Sequence, residues 1–252
     1  MPSRTSFLLM TLALFLASAP GQARPSSQTA GQGQSTSAGH PVGRVEIKSL
    51  PRPSTWMNAP KDFKMLSDDS FSITASNGTD LFNELGSGAH VGTAPMLVFP
   101  ADDTFVLTAA VAVEFKKEFD GGFLVVYSDP THWAKLLFEQ GHYGPFSVGS
   151  TVTNVNTDGS ANADVPGREV FLRVTRAKDV FGFYYSVDGR TWIYIRYFRF
   201  PVAGPLKVGF GSQSPVGDRC TTVFSRIRYA PRAAGDYWTG EPDAEAPRAT
   251  GG

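Results

Sequence analysis

The chain has 252 residues, of which 23 are basic and 23 acidic, so its formal net charge is zero. A nucleic-acid binder needs a surplus of Lys and Arg to neutralise phosphates, and this balance argues against that class. The single cysteine, Cys220, excludes an intramolecular disulfide. Without a paired His signal, we interpret Cys220 as a small apolar core residue rather than a catalytic thiol.

The first 23 residues have the three parts of a secretory signal peptide. Arg4 supplies the positive charge, residues 7–19 form the apolar segment, and 21–23 form a small-x-small cleavage site. The apolar run is shorter than the roughly 20 residues that span a bilayer, and no later run is long enough, so no transmembrane segment is predicted. We therefore expect a secreted or periplasmic protein.

The composition divides the remaining chain into three parts. Residues 24–43 are rich in Ser, Gly, Gln and Thr and show no apolar periodicity, which predicts a flexible linker. Residues 44–230 are long enough for one β domain with its own core. Residues 231–252 are rich in Pro, Gly and Ala and are predicted to form a loose tail, in which Trp238 alone is suited to docking on the domain.

Apolar and polar residues alternate along the whole domain, as they do in strands with one buried face. The alternation is clearest in 71–76, 105–115 and 170–175, and Asp188-Gly189 between two aromatic-rich runs is a hairpin signal. Convincing helix patterns are absent from the sequence. We predict an all-β fold, a two-sheet antiparallel sandwich of the jelly-roll type.

The segment GGFLVVYSDPTHWAKLLFEQ, residues 121–140, holds two apolar strand-like runs around a turn. The second run spaces Trp133, Lys135 and Glu139 evenly, so a strand places all three on one face. An aromatic ring, a cation and a carboxylate on one face suit a sugar. The plainer interpretation is a half-buried strand whose charges face solvent. Glu114, from the long strand, is the fourth candidate ligand-binding residue.

The domain carries short motifs in a defined order. They are TWMNAP (55–60), TDLF (79–82), FDGGFLVVYSD (119–129), WAK (133–135) with Glu139, STVT (150–153), LRVTR (172–176), SVDGRTW (186–192) and FGSQSP (210–215). This series resembles an uncharacterised family of concanavalin A-like lectin/glucanase sandwiches, a domain of unknown function associated in name with regulation of enolase. The resemblance covers residues 44–230 and implies a curved sheet whose concave face is the usual ligand site. The chain departs from it at 119–122, where the family tends to have Tyr-Asp-Gln-Ala-Gly, and near Phe82, where the family has a bulkier aromatic residue.

Glycoside hydrolysis needs a pair of carboxyl groups, and glucanases of this fold often carry both on one strand. The nearest match is Glu114-Phe115-Lys116-Lys117-Glu118, in which Lys116 stands where the middle carboxylate belongs. An ammonium there would lower the pKa of neighbouring Glu residues rather than raise that of a general acid. We therefore predict no catalytic residue, although a carboxylate pair from separate strands, with Glu139 as its first member, stays open as an alternative.

No metal or cofactor is predicted. Residues 154–159 resemble the start of a calcium loop, but Val165 stands where the bidentate Glu belongs. The His residues lack the spacing of a zinc site, and no phosphate-binding glycine loop occurs.

The sequence favours an exported, non-catalytic carbohydrate-binding sandwich, with a glycan or polysaccharide as partner. A glycoside hydrolase and a protein-interaction or structural domain are the alternatives. Two carboxylates within about 10 Å of each other on the ligand face would favour the hydrolase, and exposed aromatic rings without such a pair would favour binding.

Overall fold

The computed structural model describes residues 43–142, 144–200 and 204–242. The predicted signal peptide and all of the predicted linker except Gly43 lie outside the described residues. Within them, every regular element is a β-strand, and no helix is long and apolar enough to cross a membrane.

The strands follow one another closely along the chain. They are β1 (Thr55–Met57), β2 (Asp62–Ser67), β3 (Ser70–Ser76), β4 (Leu81–Asn83), β5 (His90–Gly92), β6 (Met96–Pro100), β7 (Thr104–Val113), β8 (Gly121–Asp129), β9 (His132–Gln140), β10 (Phe146–Asn154), β11 (Asn156–Asp164), β12 (Glu169–Ala177), β13 (Val180–Ser186), β14 (Ile193–Arg199), β15 (Lys207–Gln213) and β16 (Arg219–Ala230).

Fourteen of these strands form two seven-stranded antiparallel sheets. The front sheet has the order β1-β6-β15-β8-β9-β10-β11, and the back sheet has the order β14-β13-β12-β7-β16-β3-β2. Strands β4 and β5 pair only with each other, and we call them the cover hairpin. The predicted antiparallel sandwich is confirmed.

The main core fills the space between the two sheets. Phe71, Phe210 and Phe224 lie at its centre, with ring centroids 5.2–5.4 Å apart. Each side chain of this kind contributes about 1.5–3 kcal/mol when it is removed from water. Cys220 is fully buried in the same cluster, as predicted from the sequence.

A second, smaller core lies on the outer face of the front sheet, beneath the cover hairpin. Its largest members are Phe123 and Trp133, and Leu81 of the hairpin packs against them. A side chain at Gly211 would place its Cβ 2.3 Å from the Phe123 ring, so glycine is what lets that ring lie across β15. The cover hairpin therefore occupies part of the face on which a ligand was expected.

The chain also covers the outer face of the back sheet, with residues 235–241, which we call the strap. The Arg173 guanidinium donates hydrogen bonds to the Thr239 carbonyl at 2.6 Å and to the Glu241 carboxylate at 2.7 Å. It also stacks 3.6 Å above the Trp192 ring. Residues 231–252 were predicted to be a loose tail, but the part of them that forms the strap is docked on the back sheet. Their composition conceals this because the attachment depends on Arg173, far away in the sequence.

Trp238 keeps 68% of its surface exposed although its ring meets Tyr194 and Tyr237. It therefore lies on the domain as its aromatic character suggested, without becoming part of a core. The hairpin predicted at Asp188-Gly189 is present, and Gly189 has the positive φ of 72° that the turn needs.

Replacing Arg173 by Ala is expected to lower the free energy of unfolding by about 2–4 kcal/mol. The change removes the two hydrogen bonds to the strap, a third from Nε to the Thr108 hydroxyl at 3.1 Å, and the stacked contact with Trp192. Chemical denaturation measures this. Arg199→Ala is the matched control, since Arg199 pairs with Asp179 on the exposed surface and should cost less than about 1 kcal/mol. Equal losses for the two variants would contradict the role assigned to Arg173.

Candidate functional site

A cavity of about 290 Å³ opens on the outer face of the front sheet, beside the cover hairpin. We call it the front pocket. The residues that line it are Asp80, Phe82, Phe119, Lys135, Leu137, Glu139, Thr151, Gln213 and Pro215. They come from the cover hairpin and the residue before it, from the loop before β8, from strands β9, β10 and β15, and from the segment just after β15. The pocket therefore forms only when distant parts of the chain meet.

The alternation of β9 decides which of its residues reach the pocket. Leu136 and Phe138 point into the main core, whereas Lys135, Leu137 and Glu139 line the pocket on the opposite face. The strand pairs with β8 and β10 on its two sides, which keeps this orientation. Two of the predicted ligand-binding residues, Lys135 and Glu139, thus lie in one cavity.

Trp133 shares that face of β9 but is not accessible. It has no exposed surface, because the cover hairpin buries it in the second core. The expectation that its ring would stack on a ligand is therefore wrong for this conformation. The aromatic rings that line the pocket are Phe82, which is 39% exposed, and Phe119, which is half-buried.

Glu114 lies elsewhere. It is exposed, just past the end of β7 in the back sheet, and does not line the front pocket. Glu114 is therefore not the second carboxylate beside Glu139, since Glu139 lies within β9 of the front sheet and Glu114 follows β7 of the back sheet. The carboxylate that does join Glu139 in the pocket is Asp80, which precedes the cover hairpin.

Sequence reasoning missed Asp80, Phe82, Phe119 and Gln213 as pocket residues. A signal was present, because Asp80 and Phe82 belong to the motif TDLF, and Gln213 to the motif FGSQSP. Those motifs carried the family resemblance without being assigned a place. Nothing in their local pattern shows that Asp80 contacts Lys135 of β9, which lies 55 residues later in the sequence.

Lys135 forms the floor of the pocket. Only 3% of its surface is exposed, and its ammonium donates hydrogen bonds to Gln213 at 2.8 Å and to Asp80 at 3.3 Å. The ammonium also lies 5.6 Å from the centre of the Phe123 ring. A buried charge without such partners would be strongly unfavourable, so these contacts hold Asp80 and Gln213 in place.

Glu139 stands next to this group at the pocket wall. Burial raises the pKa of its carboxyl group to about 7; the Lys135 ammonium lowers it and the Asp80 carboxylate raises it. Below pH 7 the side chain is mostly protonated. It then donates one hydrogen bond through its O–H and accepts others, which suits a ligand hydroxyl.

The described residues contain no group of three or more His, Cys, Asp and Glu side chains placed to hold a metal ion. The segment that resembled a calcium loop spans the tight turn between β10 and β11, where Asn154 pairs with Asn156, and the first residues of β11. Val155, at the tip, has a positive φ of 66°.

The sequence of this chain is similar to those of known proteins. Residues 56–232 match the family described as "Protein of unknown function (DUF1349)". The "Regulation of enolase protein 1" of Saccharomyces cerevisiae is 27% identical over 172 residues, which cover 68% of this chain and 86% of that protein.

Solved structures share the sandwich. The crystal structure of a functionally unknown protein from Saccharomyces cerevisiae has a TM-score of 0.66 and 25% identity, covering 74% of this chain and 98% of that one. The GH43 BlXynB protein from Bacillus licheniformis has a TM-score of 0.52 at 12% identity, covering 71% of this chain and 46% of that one. The second likeness concerns the fold alone.

The raised pKa of Glu139 predicts a pH-dependent stability. Between pH 4.5, the ordinary value, and about 7 the folded state holds a proton that the unfolded state releases. The free energy of unfolding therefore falls as the pH rises through this window. Glu139→Gln removes the effect, so its stability relative to wild type should grow by up to about 3 kcal/mol across the window.

Denaturation curves at several pH values test this. Glu114→Gln removes an exposed carboxylate of the same kind and should leave the wild-type pH profile unchanged. A Glu139→Gln profile that runs parallel to that of wild type would show that folding does not raise the pKa of Glu139.

Proposed function

Because the chain belongs to this family of proteins of unknown function (DUF1349), its own front pocket is the guide to its activity, and we propose that it is an exported, non-catalytic carbohydrate-binding module. The observation that carries the proposal is the pairing of two accessible Phe rings with a buried polar floor in one cavity. Ligand sites of this kind combine apolar walls with a few placed polar groups.

The apolar and polar surfaces of the pocket match the apolar and polar surfaces of a sugar. The C–H face of a sugar ring stacks on Phe82 or Phe119, and its hydroxyls hydrogen-bond to polar groups at the pocket wall. Glu139 in its protonated form donates and accepts there, and Thr151 adds a hydroxyl. A cavity of about 290 Å³ suits a small ring-shaped ligand, such as a terminal unit of a glycan.

The sequence supports the exported location that the proposal requires. The predicted signal peptide at residues 1–23 would export the chain to a compartment where it meets polysaccharides. The solved structures with the same sandwich include GH43 proteins. That likeness extends to the fold alone, so the proposal depends on the pocket.

A second candidate function has one observation in its favour. Glu139, with its raised pKa, and Asp80 line the same pocket, which is the kind of carboxyl pair that glycoside hydrolysis uses. Against it, one Asp80 oxygen already accepts hydrogen bonds from the Lys135 ammonium and from the Leu81 N–H at 2.7 Å. The lone pairs of that oxygen are already engaged, so we favour binding without turnover.

Phe82→Ala is expected to weaken binding of the best ligand from a glycan array by about 1–3 kcal/mol, the scale of a lost aromatic contact at an interface. Isothermal titration measures the change. Leu85→Ala is the matched control, because Leu85 is a 69% exposed apolar residue that follows the same strand and does not line the pocket. A wild-type chain that binds no glycan would refute the proposed function, and unchanged affinity in Phe82→Ala would remove the front pocket from it.

Incubation with β-glucans, xylans and galactans is expected to release no reducing ends above the blank. The reason is that Asp80 is committed to Lys135, which leaves Glu139 without a free partner. Turnover that both Glu139→Gln and Asp80→Asn abolish, while Glu114→Gln retains it, would instead establish the hydrolase.

A further inference from the structure

Phe119 has a backbone conformation that a bulky residue rarely adopts. Its φ is 64°, in the left-handed region that glycine enters freely and that a side chain with a Cβ enters only at a cost. Conformations of this kind persist where the surrounding structure enforces them, and they cluster at binding and active sites.

The enforcement is visible in the hydrogen bonds of Phe119 itself. Its N–H donates to the Gln140 carbonyl at 2.8 Å, and its carbonyl accepts from the Gln213 side-chain amide at 3.1 Å. The other end of that amide accepts from the Lys135 ammonium at 2.8 Å. The Gln213 side chain thus connects the Phe119 backbone to Lys135 at the floor of the pocket and fixes the position of one relative to the other.

The residue after Phe119 closes the turn. Asp120 is fully buried, and its carboxylate accepts hydrogen bonds from the N–H groups of Lys116 and Lys117, each at 3.0 Å, and from the Ser214 hydroxyl at 2.7 Å. These bonds keep the loop before β8 in one shape. The left-handed conformation of Phe119 is therefore imposed by two sets of hydrogen bonds: those of its own N–H and carbonyl groups, and those of the Asp120 carboxylate that follows it.

The ring of Phe119 gains little packing in return. It is half-buried and belongs to neither of the two hydrophobic clusters of the described residues. It lies parallel to the His142 ring, with centroids 6.0 Å apart, and its other contribution is to the wall of the front pocket. Asparagine or glycine would satisfy the backbone at lower cost, so the benefit of a Phe at this position lies in what the ring contacts.

The charges of the pocket restrict the ligand. Among the described lining residues, Lys135 is the cation, and it is already paired with Asp80 and Gln213. Glu139 and Asp80 present carboxyl groups to the same space. A uronate or sulfate would be desolvated here without a free positive partner, whereas a neutral sugar needs none.

We propose that Phe119 is the stacking residue that determines specificity in the front pocket, that its strained backbone is retained for this contact, and that the pocket takes an uncharged sugar ring. The inference rests on the proposed glycan binding and narrows it to one wall and one class of ligand.

The test compares three variants at this position. Phe119→Ala and Phe119→Gly both remove the ring and differ only in the Cβ, and elsewhere in a chain glycine is the less stable of the two. Here we expect Phe119→Gly to unfold at a temperature a few degrees higher than Phe119→Ala. Both should bind the best neutral array glycan at least ten-fold more weakly than wild type, and Phe119→Tyr should stay within about three-fold.

Ligand class is tested with the wild-type chain on an array that prints cello- and manno-oligosaccharides beside their counterparts oxidised to uronates at C6. The neutral member of a pair should bind at least ten-fold more tightly. Equal or tighter binding of a uronate would overturn the assigned class. Wild-type affinity in Phe119→Ala, or an Ala variant as stable as the Gly variant, would overturn the role of Phe119. Absence of all glycan binding would refute the proposed function itself, while the Ala–Gly comparison would still decide whether the backbone is strained.

Discussion

The ammonium group of Lys135 is the centre on which the front of the molecule depends. It lies on the outer face of a sheet yet is almost completely buried, so it must be compensated by partners from other segments. Asp80 brings the cover hairpin to it, and Gln213 brings β15 and, through its amide, the loop of Phe119. Removing any one of these partners would leave a charge or a polar group unpaired in a low-dielectric site, which is costly.

The cover hairpin changes what the sandwich offers to a ligand. Without it, Trp133 and Phe123 would form an open aromatic surface on the front sheet. With it, both rings become core, and the accessible space contracts to a pocket at the edge of the hairpin. The same contraction withdraws Glu139 from water and raises its pKa. The aromatic rings available to a ligand are thus Phe82 and Phe119, on the segments around the pocket, rather than Trp133 of β9.

Period-2 alternation was sufficient to predict the strands, the sandwich and the face shared by Lys135 and Glu139, because these follow from local pattern and from burial of one face. It was insufficient for Trp133, since burial of its outward-facing ring depends on the cover hairpin, which lies much earlier in the sequence. The partnership of Asp80 with Lys135 spans 55 residues and leaves no periodic signal. Docking of the strap was hidden in the same way, because a composition rich in Pro and Gly says nothing about a distant Arg173.

Both sheets use one device on their outer faces. A cation that is nearly buried on a strand, Lys135 in front and Arg173 at the back, attracts a carboxylate from a segment that lies across the sheet. On the back sheet the strap leaves a raised aromatic surface around Trp238, and Glu241 remains half exposed. On the front sheet the hairpin leaves a cavity, and Asp80 is drawn further from water. A cavity whose polar groups are already held in place avoids an ordering cost when a ligand binds. The front pocket is of this kind, because Lys135 fixes Asp80 and Gln213 before any ligand arrives.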